Sequence, residues 1–99
     1  MSMYRSPKIL AAAKDAPVCF GCQATNVGQV VAAHSNQLRD GKGRGLKADD
    51  FRVAYICGKC HHELDQGAKM SRAERVEFWE EAHRHTIGWL FKSGRVKVA

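Results

Sequence analysis

The sequence predicts one small α+β domain, stapled by a zinc ion and closed by a long C-terminal helix. Three observations predict it. Two Cys-x-x-Cys pairs, Cys19/Cys22 and Cys57/Cys60, stand 34 residues apart with no cysteine left over. Two short apolar runs, Val27–Ala33 and Phe51–Ile56, read as strands. Ser71-Arg72-Ala73-Glu74 is a capping box and opens a long helical pattern. At 99 residues and 11.0 kDa there is room for one domain. A chain this short buries only about 60–65% of its unfolded surface, so it needs a staple.

The elements follow in order. Pro7 at a helix start opens a helical segment from Lys8 to Lys14, within an N-terminal region of residues 1–15. Pro17 stops it, and Cys19-Phe20-Gly21-Cys22 forms a turn. The core spans residues 16–68. In it, Val27–Ala33 is the first strand, a glycine-rich loop follows, and Phe51–Ile56 is the second strand. Cys60–Gln66 is helical, with Gly67 as its stop. The last helix spans 71–92, its apolar face built from Val76, Phe78, Trp79, Ala82, Trp89 and Leu90. Gly94 ends it, and Val96-Lys97-Val98 is expected to add a small strand.

Composition excludes several classes. The longest uncharged stretch, Ala16–Leu38, carries too many Gly, Asn, Gln and Ser residues for a membrane helix. Ile9–Ala13 is too short for the core of a signal peptide. A cytoplasmic location is therefore expected, and in a reducing compartment Cys-x-x-Cys pairs read as a metal site before disulfides. The net charge of +6 is unevenly spread. Residues 71–92 balance four basic against four acidic groups and read as scaffold. Arg39 to Lys47 holds Arg39, Lys42, Arg44 and Lys47 with one acid and three glycines. Such a loop suits a phosphate backbone, whose contacts release counterions. A solvated flexible loop is the equal alternative. Lys8, Lys14 and Arg52 are weaker candidates for phosphate contacts.

Four thiolates offered as two local pairs suit tetrahedral Zn²⁺. A closed four-sulfur site leaves no position for substrate, so Cys19, Cys22, Cys57 and Cys60 are expected to hold a structural zinc. The alternatives are a rubredoxin-like iron site, a redox dithiol or chance spacing, and ligand preference favours zinc.

Three further residues form the chemical pattern. His34 ends the first strand. His61 follows the second cysteine pair, and Asp65, four residues on, shares its helix face. An imidazole and a carboxylate at that spacing suit one open divalent ion, while His34 suits water activation. Taken singly, each residue is more simply a satisfied or surface group; taken together they favour a site. His62 points about 100° away from His61 and reads as surface. His83 and His85 read as exposed or packed, and Trp79 and Trp89 as core anchors.

A strand-end His, a loop, a second strand and Cys-x-x-Cys-His at a helix start resemble the ββα-metal (HNH, His-Me finger) nuclease core. The resemblance implies that His34, in Val31-Ala32-Ala33-His34, is the general base. It implies that His61 is a ligand of Mg²⁺ or Mn²⁺, and that Asp50 occupies the middle position where many members have Asn. His34 and Asp50 are thus the catalytic candidates, and His61 with Asp65 the candidate ligands of the catalytic ion. The chain is also similar to the YbcO-like nuclease family of phages and prophages over most of residues 15–99. That similarity lies at Ala33-His34, Lys47-Ala48-Asp49-Asp50, Cys60-His61-x-x-x-Asp65 and Trp89-Leu90 to Gly94-x-Val96-Lys97. Two departures stand out: Ala33 replaces the His or Asp that many members place before the base, and Asp50 replaces Asn. Asp65 or Asp50 would then supply the missing ligand.

The expected function is a metal-dependent DNA endonuclease of low sequence specificity, in the host cytoplasm if phage-encoded. A non-catalytic zinc-stabilised DNA-binding or recombination-accessory protein is the alternative, and a zinc-stabilised protein-interaction module is the third reading. DNA is the expected partner, with no membrane involved. A homodimer is the assembly that would most simply cut both strands.

Overall fold

A two-stranded antiparallel ribbon carries every other element. In the computed structural model of the chain, which describes residues 4–37 and 48–97, β1 spans Val30–His34 and β2 spans Val53–Cys57. Val30 pairs with Cys57 at one end and His34 with Val53 at the other. Both strands start later than the apolar runs do. Asn26 Oδ1 accepts from the backbone N–H groups of Gly28 and Val30, and Gln29 Oε1 accepts from Val27. These bonds hold a turn that keeps Val27 85% exposed. Phe51 is likewise spent on a turn, in which Arg52 N–H donates to Asp49 O.

β2 is buried along its whole length. Its run therefore alternates only partly, as befits a strand covered on both faces. Its outer edge is also closed. His83 Nδ1 donates to Val53 O, Tyr55 N–H donates to Thr86 Oγ1, and Phe20 N–H donates to Tyr55 O. Cys57 N–H donates to Cys19 Sγ. These bonds occupy the outer edge of β2 and so guard it against pairing with another strand.

The first helix, α1, spans Pro7–Ala11, with Ser6 as its N-cap and Pro7 in the first turn. It tightens into a 3₁₀ turn over Ala12–Asp15, short of the single helix expected to Lys14. Buried Ala12 and Ala13 pack this segment against β1, and Tyr55 Oη donates to Ile9 O. The second helix, α2, spans Gly58–Gln66 and starts directly from β2. Gly67 ends it in an extended conformation.

The third helix, α3, spans Arg72–Lys92 and begins with the full capping box between Ser71 and Glu74. It buries Trp79, Ala82, Thr86 and Leu90 against β2. Thr86 breaks the expected apolar face because its hydroxyl is needed twice: it accepts from Tyr55 N–H and donates to Ala82 O. Trp89 packs between Phe20 and Tyr55, with the Arg95 guanidinium over its ring. Gly94, at φ +79°, provides the left-handed residue that ends the helix. The expected strand at 96–98 does not form at Val96 and Lys97. The N–H groups of Arg95 and Val96 turn back to Leu90 O, and Val98 lies outside the described residues. No helix among the described residues is long and apolar enough to cross a membrane.

Candidate zinc centre and the His34 cleft

The two cysteine pairs meet at the Val30/Cys57 end of the ribbon. All four sulfurs lie within 4.8 Å of one another. Cys19 Sγ is 3.8 Å from Cys60 Sγ, and Cys22 Sγ is 3.9 Å from Cys57 Sγ. A zinc tetrahedron with bonds of about 2.3 Å has edges of about 3.8 Å, so these two edges match it and the cluster could hold a structural zinc. Backbone N–H groups of Gly21, Cys22 and Cys57 point at Cys19 Sγ. Burial pushes the Cys19 thiol up, but these donors outweigh it and bring it down to about 7. Burial and the neighbouring sulfurs push Cys60 up instead. Such a set favours a shared cation, because several thiolates cannot charge together unless one is present. Gly21 is closely packed: a Cβ there would lie 2.8 Å from the Phe78 ring, which would have to shift.

The histidine chemistry sits at the opposite end of the ribbon. His34 Nε2 is 2.8 Å from Asp50 Oδ1, and Asp50 is only 2% exposed. Asp50 also accepts from Ser6 N–H at 2.6 Å and from Arg5 Nη1 at 3.2 Å. Burial opposes ionisation of Asp50, but the bonds from His34, Ser6 and Arg5 hold its carboxyl below the usual range. It is therefore a buried anion, and an anion can only accept. His34 must carry its proton on Nε2, which leaves Nδ1 as the basic nitrogen.

The chain segment that holds Asp50 comes from far away in sequence. Arg5 Nη1 also donates to Ala48 O at 2.6 Å, Tyr4 N–H donates to Asp49 Oδ1 at 2.7 Å, and Asp50 N–H donates to Tyr4 O. Residues 4–6 thus form a strap across Ala48–Asp50. Nothing in the sequence pattern marks Tyr4, Arg5 or Ser6 for this role. They lie about 45 residues from their partners and belong to no periodic element.

α2 runs from the cysteine end back along the ribbon and returns the other two residues to His34. His61 Nε2 lies 3.1 Å from Asp65 Oδ2, and Asn36, just beyond β1, donates from Nδ2 to Asp65 Oδ1 at 3.0 Å. With His34 these residues line a cleft of 820 Å³, whose opposite wall is the first two turns of α3. Adjacent ligands of an octahedral ion with bonds of about 2.1 Å stand about 3.0 Å apart. His61 and Asp65 therefore fit two neighbouring positions of such an ion. Among the described residues no third His, Cys, Asp or Glu joins them. Asp50 cannot fill that gap as matters stand, because Ser6, Arg5 and His34 take its oxygens.

Arg39, Lys42, Arg44 and Lys47 lie outside the described residues. Arg52 is not a free surface cation: it pairs with Glu80 at 2.6 Å and stacks on Trp79. Trp79 is buried and donates from Nε1 to Ala33 O, the residue before His34. His62 is exposed, and His85 pairs with Glu81. Comparison with protein-family models, with curated proteins and with solved structures finds no match.

Proposed function

We propose that the protein is a metal-dependent DNA endonuclease of the HNH type, hydrolysing phosphodiester bonds with low sequence specificity in phage or prophage DNA recombination or processing. The observation that carries this reading is the His34–Asp50 pair beside the cleft of His61 and Asp65. A buried carboxylate fixes the tautomer of a strand-end imidazole, the arrangement that prepares a histidine to act as a general base.

In this reading His34 Nδ1 takes the proton of a water molecule as its oxygen attacks phosphorus. The bond from phosphorus to the leaving sugar oxygen breaks, and that oxygen is protonated from solvent. The resemblance to HNH nucleases implies that cleavage leaves a 5′-phosphate and a free 3′-hydroxyl. Asp50 holds the imidazole in place and balances the charge it gains. Mg²⁺ or Mn²⁺ held by His61 and Asp65 would stabilise the charge that builds on the phosphate oxygens. The zinc site takes no part in the chemistry; it holds β2, α2 and the Cys19 turn together.

The test is nicking of supercoiled plasmid with Mg²⁺ or Mn²⁺, comparing wild type with His34→Ala. Cutting by wild type and loss in the variant support the reading. No cutting by wild type, or equal cutting by both, overturns it. The alternative, a non-catalytic zinc-stabilised DNA-binding protein, is favoured by one observation: among the described residues, only His61 and Asp65 pair as candidate ligands in the cleft. DNA binding without nicking in either cation would select it.

A further inference from the structure

The cleft has a wall that the proposed chemistry does not use. Arg72, Arg75 and Trp79 project into it from α3, at the spacing that places residues on one helix face. Arg75 is committed to structure: it donates to Gly67 O at 2.5 Å and Met70 O at 3.2 Å, bracing the α2–α3 connection. Those carbonyls fix the guanidinium but do not cancel its charge. Arg72 is exposed, and no carboxylate among the described residues pairs with it. Among the described residues the only acid lining the cleft is Asp65, which already faces His61 and Asn36. The α3 wall is thus a local excess of positive charge on a helix that is neutral overall. It lines the same 820 Å³ cleft as His34.

We propose that Arg72 is a direct phosphate contact for a nucleic-acid strand lying in the cleft, binding a phosphate beside the one presented to His34. The inference rests on the nuclease reading and adds to it the residue that holds the strand. Arg75 is its platform, since it keeps the first turn of α3 in register with α2. A planar guanidinium suits this task because it can engage two phosphate oxygens at once.

The experiment measures binding of fluorescein-labelled duplex DNA by anisotropy across a salt series, with no added divalent ion and no chelator. Wild type, Arg72→Ala, Arg72→Lys and Arg84→Gln are compared. Arg84 lies on α3 outside the cleft and pairs with Glu81. Loss of one phosphate contact should lower the salt slope by about 0.9, which is about an eightfold loss of affinity at 0.1 M salt. Arg72→Lys should keep most of the slope, and Arg84→Gln should match wild type. In plasmid nicking, Arg72→Ala should raise KM and leave kcat near wild type. A slope for Arg72→Ala equal to that of Arg84→Gln overturns the proposal while leaving the nuclease reading intact. Wild type that neither binds nor nicks DNA overturns both. Circular dichroism of each variant checks that it is folded, and Arg72→Gln repeats the measurement should the alanine variant lose structure.

Discussion

His34 Nε2 meets Asp50 Oδ1 at 2.8 Å, and the carboxylate that receives it is held by two residues from the other side of the chain, Arg5 and Ser6. An Asn at position 50 could present either its oxygen or its NH₂ group and so accept either tautomer of the ring. An Asp that is anionic and buried admits only one.

That difference sets the first prediction. His34→Ala should lower nicking by about 10²–10⁴-fold, the usual worth of a general base. Asp50→Asn should lose part of that while DNA affinity holds. Nicking rates at saturating plasmid, read beside anisotropy, separate the two effects. A drop in affinity that accounts for the whole loss would show that the pair matters for binding only.

Acid should weaken the fold through the same carboxylate. Its folded pKa lies below the unfolded value of about 3.9. Its stabilising contribution is thus complete above that value and is lost as pH falls through the folded pKa. Urea melts of wild type and Asp50→Asn from pH 7 to pH 3 should show a stability gap that closes below about pH 4. A gap that stays constant to pH 3 would show that the charge on Asp50 contributes nothing.

Zinc should be essential to folding. Elemental analysis should find one zinc per chain, and a strong chelator should unfold the protein. Structural zinc contributes roughly 10–16 kcal/mol in small domains, against a total stability of roughly 5–15 kcal/mol. Cys57→Ala should have the same effect, since Cys57 is both one of the four clustered thiols and the junction of β2 with α2. A native circular dichroism spectrum in the chelator would refute the staple.

Thr86→Val keeps the side-chain shape but removes the acceptor for Tyr55 N–H at the closed edge of β2. An unpaired buried N–H should cost about 1–3 kcal/mol, read as a shift in the urea midpoint at constant slope. Arg5→Ala should cost less, about 1 kcal/mol, because the Arg5 side chain is itself partly exposed and Asp50 keeps its bonds from Ser6 and His34. Its larger effect should fall on nicking, through a less firmly held Asp50.

Local signals in the chain made much of this architecture legible. The capping box at Ser71, the cysteine spacing and the two apolar runs each report on near neighbours, and the structure has a helix, a sulfur cluster and two strands there. The runs misjudged the strand starts because Asn26, Gln29 and Asp49 turn the backbone with bonds that hydrophobicity does not register. The expected strand does not form at Val96 and Lys97 for a similar reason, since Leu90 O captures the N–H groups of Arg95 and Val96. The strap of Tyr4–Ser6 and the α3 wall were illegible. Each depends on where a distant segment lands, and no spacing within a segment encodes that.

The ribbon from Val30 and Cys57 to His34 and Val53 is five residues long, about 13 Å. It keeps the sulfur cluster and the imidazole at opposite ends, and α2, which carries both Cys60 and His61, connects the cluster to the cleft. The two ends are therefore separable modules. A redesign could replace the four cysteines with another cross-link that holds β2, α2 and the Cys19 turn, and leave His34, Asp50 and the cleft intact. A variant stapled in that way would be indifferent to chelators and oxidants, and any metal dependence that survived in it would belong to the cleft alone.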